Sequence, residues 1–264
     1  MDYIGHIFDI ALYQPIFNTL IFFYDKIPGH DMGVAIIVLT LLIKVVLFWP
    51  ALSALKAQKK IQDTQPHVDA IREKYKDNKE ELGKQLMEFY KQNQVNPFSS
   101  CLPLIIQLPI LIALYRAFQG LQIDPVTHFL TAGQLQELYG PLASAYANTV
   151  IHTTLFGIVD LTAKNNIILA LAAGVAAFFQ AKTLQSKRAV LRTPGTKDEN
   201  AASAVNKQMM YIMPVMTVIF GYQFPAGLAL YFLVSTLFSL VQQLYFLRWR
   251  KQASAVVEQP SQWQ

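Results

Sequence analysis

Charge is scarce in this sequence. Only 15% of its 264 residues are Asp, Glu, Lys or Arg, 53% are hydrophobic, and the mean hydropathy is +0.29. A soluble globular chain carries about 25% charged residues. The composition therefore excludes an ordinary soluble enzyme, and equally a disordered chain, a collagen-like repeat or a disulfide scaffold. Cysteine is nearly absent: Cys101 is the single one, so no intramolecular disulfide can form. The histidines His6, His30, His67, His128 and His152 lie far apart, without the spacing of a zinc site. No metal and no cofactor are expected. Also missing are a Gly-x-Ser-x-Gly elbow, a phosphate-binding glycine loop and a His-Glu-x-x-His pair. Ser53, Ser99, Ser100, Ser235 and Ser239 lie near apolar stretches that offer no histidine to activate them. No catalytic residue is assigned, and an enzyme is not expected. Asp2 stands where a secretory signal would be basic, and no small-residue cleavage site follows.

What the chain has is hydrophobic runs. Five could cross a bilayer: about 34–55, 102–118, 167–181, 209–224 and 228–247. A helix needs about 20 apolar residues to cross a hydrocarbon core of about 30 Å. The second, third and fourth runs are short by that measure, but five in one chain point to a single membrane domain. The stretch 3–24 is apolar yet interrupted by His6, Asp9, Gln14, Pro15 and Asn18. It reads as an amphipathic helix in the membrane interface, with a sixth, imperfect span as the alternative.

The basic residues are unevenly placed. The segment 56–91 holds nine Lys and Arg, the segment 182–207 holds six, and Arg248, Arg250 and Lys251 follow the last run. On the other side stand only Lys26 and Lys164, while Lys44 and Arg116 lie inside runs. Cytoplasmic loops are enriched in Lys and Arg. The expected orientation is N-terminus outside and C-terminus in the cytoplasm.

The first basic loop carries two apolar stripes at helical spacing: Val68, Ile71 and Tyr75, then Leu82, Leu86, Phe89 and Tyr90. Asp77 and Asn78 separate them as turn and cap residues. Two antiparallel helices projecting into the cytoplasm are expected, with outer faces that either bind a partner or are merely solvated. The segment 119–166 has few charges and reads as a helical cap dipping into the outer interface. The second basic loop is expected to be mobile on composition.

Lys44 is the most informative residue. It is the eleventh of the 22 residues in 34–55, and a lysine at the centre of a span costs about 2.5–3.5 kcal/mol. Either its side chain snorkels to the cytoplasmic headgroups, or it lines a hydrated groove as a fixed positive charge. Thr40 lies one turn earlier on the same face. Gln107 lies in the second run, Gln180 near the end of the third, and Gln242 and Gln243 towards the end of the fifth. Arg116, beside Tyr115 at an outer end, reads as an interface anchor. Met209, Met210, Met213 and Met216 read as core filler, with an adaptable apolar slide as the alternative. The runs contain no Asp or Glu, which weighs against a proton-driven transporter.

Three stretches resemble the YidC family of membrane protein insertases. They are TLLIKVVLFWPALSALKAQ, the loop and second run from Gln65 to Phe118, and FPAGLALYFLVSTLFSLVQQ. Specific strings are Asn96-Pro97, Cys101-Leu102-Pro103, Gln107 and Pro109, and Phe224-Pro225-Ala226-Gly227 followed by Leu230-Tyr231. The resemblance covers about 33–250. It implies an all-α membrane protein of five transmembrane helices with a cytoplasmic helical hairpin, to which the residues themselves add the N-terminal interfacial amphipathic helix. The expected layout is an N-terminal outer-face interfacial helix over 1–32, a five-span core over 33–250 and a cytoplasmic tail over 251–264. Within the core lie the hairpin (about 56–95), the outer segment (about 119–166) and a second cytoplasmic loop (about 183–207).

The resemblance further implies a hydrophilic groove, open to cytoplasm and lipid but closed outside, that moves short polar segments of nascent membrane proteins. Its implied groove residues are Lys44, Thr40, Gln107, Gln180, Tyr231 and Phe232. Lys44 stands where the family normally has arginine, which keeps the charge but not the planar fork. Phe232 stands where tyrosine or tryptophan is common. Arg72, Lys74, Tyr75 and Lys76 on the hairpin are the implied contacts for client or ribosome. The implied partners are nascent membrane proteins, membrane lipids, the ribosome and the Sec translocon, and no DNA. The implied location is the bacterial plasma (inner) membrane. The large outer domain of Gram-negative members and the lipoprotein signal of Gram-positive members are expected to be missing. Other classes that a wet groove would fit are a small-solute channel or transporter and a lipid scramblase. An intramembrane protease lacks an activated nucleophile.

Overall fold

The computed structural model describes residues 2–96, 102–120, 130–147, 149–184 and 199–257. Pro97, Cys101 and most of the second basic loop lie outside them, as do the last seven residues and the side chains of Met209, Met210, Arg248, Arg250 and Lys251. Helices dominate. In chain order they are α1 Asp2–Phe8, a π-helical turn Asp9–Tyr13, α2 Gln14–Lys26, α3 Met32–Val46, α4 Phe48–Lys74, α5 Lys79–Gln92, α6 Leu102–Gly120, α7 Ala132–Glu137, α8 Gly140–Tyr146, α9 Ile167–Leu184, α10 Glu199–Gln223 and α11 Ala226–Val257. One short antiparallel pair, β1 Thr154–Leu155 and β2 Val159–Asp160, lies between α8 and α9.

Among the described residues, Gly5–Lys26 and Ala226–Leu247 are each long and apolar enough to cross a membrane. The bent pair α3 and α4 qualifies if it counts as one span, and α6 and α9 are shorter apolar helices. The run 34–55 is not one straight helix. The chain bends by 65° between α3 and α4. Pro50, third residue of α4, explains the break: it has no N–H to give the Val46 carbonyl, and its ring crowds that carbonyl. Lys44 therefore sits beside an elbow at Leu47, not midway along a straight rod.

The N-terminal helix runs on through Pro15 and buries one face. Phe17, Leu20, Ile21 and Tyr24 pack with Met32, Ala35, Ile36 and Leu39 of α3 and with Ala113, Leu114, Ala117 and Phe118 of α6 in one apolar core. Asn18 is buried on the same helix. Its amide donates to the Glu137 carbonyl at 2.9 Å and its Oδ1 accepts from the Tyr139 N–H at 2.7 Å. One side chain thereby ties the helix to the joint between α7 and α8. By length and composition Gly5–Lys26 could also cross a membrane, the alternative that its sequence offered. Arg116, read as an interface anchor, forms an ion pair with Asp9 and stacks over the Tyr13 ring at 4.7 Å. It clamps α6 to the π-helical turn.

The segment expected to be a helical cap contains α7, α8 and also the β-hairpin, which short mixed apolar runs did not reveal. It straps one end of the bundle. Asn165 N–H donates to Tyr222 O at 2.9 Å, and Ala226 and Gly227 N–H donate to Ala163 and Leu161 carbonyls at 2.8 Å. At the opposite end α4 and α5 form the antiparallel hairpin. Asn78 caps α5 by accepting from Glu81 N–H at 3.1 Å, His67 stacks on Phe89 at 6.0 Å, and Lys60 reaches the Gln94 carbonyl at 3.1 Å.

α9 packs closely on α10 because its facing residues are small, as in other membrane helix pairs. A Cβ added at Gly174 would lie 2.2 Å from Val218 Cγ2 and 3.3 Å from the Pro214 carbonyl. Met213 and Met216, expected in the core, are 53% and 37% exposed on α10 instead. The core positions along the α9 face are already filled by alanine and glycine, so the longer side chains point away.

Two stability outcomes follow for the purified protein in detergent. Gly174→Val forces α9 and α10 apart and lowers stability by about 1–3 kcal/mol. Asn18→Leu strands a buried carbonyl and N–H and costs about 1–3 kcal/mol. Both are read from thermal unfolding, and an unchanged midpoint in either case contradicts the packing described.

Candidate functional site

α11 carries polar residues at a spacing of four: Tyr231, Ser235, Ser239 and Gln243. That spacing puts them on one face of the helix, in a span whose other residues are mostly apolar. In hydrocarbon each polar group must find a partner within the protein, and the partners come from three other helices.

Lys44 of α3 donates through Nζ to Ser239 Oγ at 3.2 Å, and the Ser239 hydroxyl donates in turn to the Ser235 carbonyl at 2.9 Å. Gln107 of α6 donates to the hydroxyl of fully buried Tyr231. Thr183 of α9 donates to Gln243 Oε1 at 2.8 Å, and Gln242 reaches the Phe48 carbonyl beyond the elbow at 3.4 Å. The result is a polar seam along α11 that meets α3, α6 and α9 in turn. From Tyr231 to Gln243 it spans about 18 Å of helix.

Lys44 is the one charge in this seam among the described residues, and no carboxylate there pairs with it. A cation held only by a neutral hydroxyl keeps its attraction for an incoming anion. At an effective dielectric of 20, a carboxylate at 4 Å would feel about 4 kcal/mol.

The two ends of the seam differ. Towards the strapped end the core is apolar, with Ile36, Leu39, Phe118, Leu228 and Leu230 all buried. A Cβ at Gly227 would already touch Phe118 at 3.0 Å, so the helices are sealed there. Towards the hairpin end the seam reaches Gln242, Gln243 and the elbow.

The structure brings together Lys44, Gln107 and Tyr231 through α11. Phe232 is half-buried beside Tyr231, with ring centroids 5.9 Å apart. Thr40 is on the Lys44 face but fully buried, and its hydroxyl donates to its own helix at Ile36 O, 2.6 Å away. It is a core residue with an internal bond. Gln180 is half-buried, and in the bonds across to α11 the residue from α9 is Thr183, one turn on. Ser235, Ser239 and Thr183 were missed as seam residues because a lone hydroxyl in a span is unremarkable; their four-residue register with Tyr231 was the signal. Arg72, Lys74, Tyr75 and Lys76 lie away from the seam, at the hairpin turn. Arg72, Lys74 and Lys76 are exposed, and Arg72 and Lys76 pair with Asp69 and Glu73 at 3.5 Å. Among the described residues no group of three or more His, Cys, Asp or Glu could hold a metal.

These features define an all-α integral membrane protein with a charged polar seam closed at one end. The family profile described as "60Kd inner membrane protein" matches residues 22–253, and the chain belongs to that family, which includes the YidC insertases. A protein named membrane protein insertase YidC from Fusobacterium nucleatum is 30% identical over 85% of this chain and 89% of its own length. Relatives of the same name from Streptomyces avermitilis and Syntrophobacter fumaroxidans are 29% and 32% identical over 85% and 89% of this chain. This chain spans 54% and 37% of their lengths.

The Gln107–Tyr231 bond is testable by a double-mutant cycle. Gln107→Leu and Tyr231→Phe each lower the unfolding free energy, and the coupling between them is expected at about 0.6–1.7 kcal/mol, the range found for hydrogen bonds between membrane helices. Strictly additive effects would mean that the two side chains do not interact.

Proposed function

We propose that this chain is a membrane protein insertase. The observation that carries the reading is the uncompensated Lys44 ammonium, held by Ser239 within a seam that is polar towards the hairpin and sealed at the other end. A polar tail of a client pays several kcal/mol for each bare polar group in hydrocarbon. A seam that is polar part of the way shortens the dry path, and the cation within it favours acidic or polar tails. α9, at 18 residues, is about 27 Å long, slightly less than the hydrocarbon thickness, and a short span thins the bilayer around it. The client's apolar segment then leaves sideways into lipid. Hydrophobic partitioning drives that step, so the reading involves no nucleotide, no cofactor and no covalent chemistry.

In this reading the N-terminus and the strapped end face outwards and the basic hairpin faces the cytoplasm, as the Lys and Arg distribution favours. Nascent membrane proteins are the clients. Arg72, Lys74, Tyr75 and Lys76 at the exposed turn receive the client or touch the ribosome, and the Sec translocon is a second partner. Thr40, Gln180 and Phe232 support the groove from its margins.

Cells depleted of their own insertase test this. They would express the wild type, Lys44→Arg, Lys44→Ala or Lys44→Glu, and protease protection would follow a small client with an acidic outer tail. Wild type and Lys44→Arg insert, while Lys44→Ala and Lys44→Glu lose about tenfold or more, equivalent to about 1.4 kcal/mol of barrier. Full insertion by Lys44→Ala would remove the cation from the mechanism. No rescue by the wild type would remove the function.

A further inference from the structure

The β1–β2 hairpin presents a bare apolar tip. Phe156 is 69% and Ile158 84% exposed. The turn between the strands closes with Ile158 N–H on the Leu155 carbonyl at 3.0 Å, and both central residues have positive φ, 53° at Phe156 and 69° at Gly157. A turn of that hand favours Asn, Asp or Gly at both positions. A bulky aromatic in the left-handed region is an outlier that points to a role outside local stability.

The tip is held firmly. Asp31, which caps α3 by accepting from Val34 N–H at 2.9 Å, uses its other carboxylate oxygen to accept from Phe156 N–H at 2.5 Å. Leu155 lies over Gly33, where an added Cβ would come 2.2 Å from Leu155 Cδ1. Phe156 is thus locked at the level of the first turn of α3. That is the level at which an apolar helix enters a bilayer, and at which aromatic side chains concentrate. The surrounding segment suits lipid: residues 138–159 contain no Asp, Glu, Lys or Arg, and Ile168 at the start of α9 is 76% exposed. A two-residue tip is too small for a stable protein contact, which needs about 1,200 Å² or more of buried surface.

We propose that Phe156 and Ile158 insert into the headgroup–acyl boundary at the sealed end of the bundle and set the depth of α3. Lys44 lies twelve residues beyond Met32, about 18 Å along the helix. A tip anchored in lipid and clamped through Asp31 therefore fixes how deep the groove cation sits. The inference rests on α3 crossing the bilayer. Its test involves no insertion step, so its failure and that of the insertase reading are separable.

The test uses the full chain carrying Cys101→Ser and Ile158→Cys, labelled with a nitroxide and reconstituted into phosphatidylethanolamine–phosphatidylglycerol vesicles. Power saturation compares collisions with oxygen and with a water-soluble nickel chelate. Oxygen is expected to dominate, at the depth of the lipid phosphates or below. Dominance of the nickel chelate, as for an aqueous loop, overturns the proposal; so does exclusion of both reagents, which would mean that protein covers the tip. Depth setting is read from a label at Val46→Cys in the Cys101→Ser background. Its depth is expected to change by about 3 Å, two residues of helix rise, when Phe156 and Ile158 both become serine. An unchanged depth overturns that part.

Discussion

A single ammonium group inside an apolar helix sets a requirement that the rest of this bundle meets. Lys44 lies among valine, isoleucine and leucine on α3. It donates its hydrogen bond to Ser239 on α11, so these two helices must pass close by at that height. Once α11 offers oxygen there, its residues one turn apart offer polar atoms above and below. Tyr231 then meets Gln107 and Gln243 meets Thr183. The contact that accommodates the cation thus also orders α6 and α9 around α11.

The two ends of the bundle solve different problems. At the strapped end, alanines, glycines and aromatic rings interlock, and the loop backbone hydrogen-bonds directly to the joint between α10 and α11. That end is tight because small residues allow close approach, as Gly227 does against Phe118. At the other end Pro50 breaks the helix and sends α4 away at an angle of 65°, and Gln242 and Gln243 meet the Phe48 carbonyl and Thr183 there. In the proposed insertase reading, an asymmetric seam of this kind would admit a polar chain from one side without opening a pore through the membrane.

Much of this was legible in the residues. Hydrophobic runs, the scarcity of charge and the clustering of Lys and Arg marked an all-α membrane chain. Helical spacing of Val68, Ile71, Leu82, Leu86 and Phe89, with Asn78 between, marked the hairpin and its cap. Lys44 and Gln107 stood out because polar residues are rare in such runs. The β-hairpin was hidden, because two strands of two residues each leave no alternation to detect. The roles of Asn18 and Arg116 were hidden as well, since their partners Glu137, Tyr139 and Asp9 lie about 110–120 positions away and sequence spacing says nothing about such pairs.

The sequence by itself determined that the chain is helical and lives in a membrane, because hydrocarbon admits only long apolar segments and makes each polar exception conspicuous. Tertiary structure decided which exceptions work together. Thr40 and Ser239 are equally plain hydroxyls in apolar helices, and both donate back to the carbonyl four residues earlier, yet only Ser239 also accepts from the Lys44 ammonium. Only the packing of α3 on α11 separates them, since a hydroxyl in hydrocarbon takes whichever acceptor or donor the neighbouring helix brings within reach.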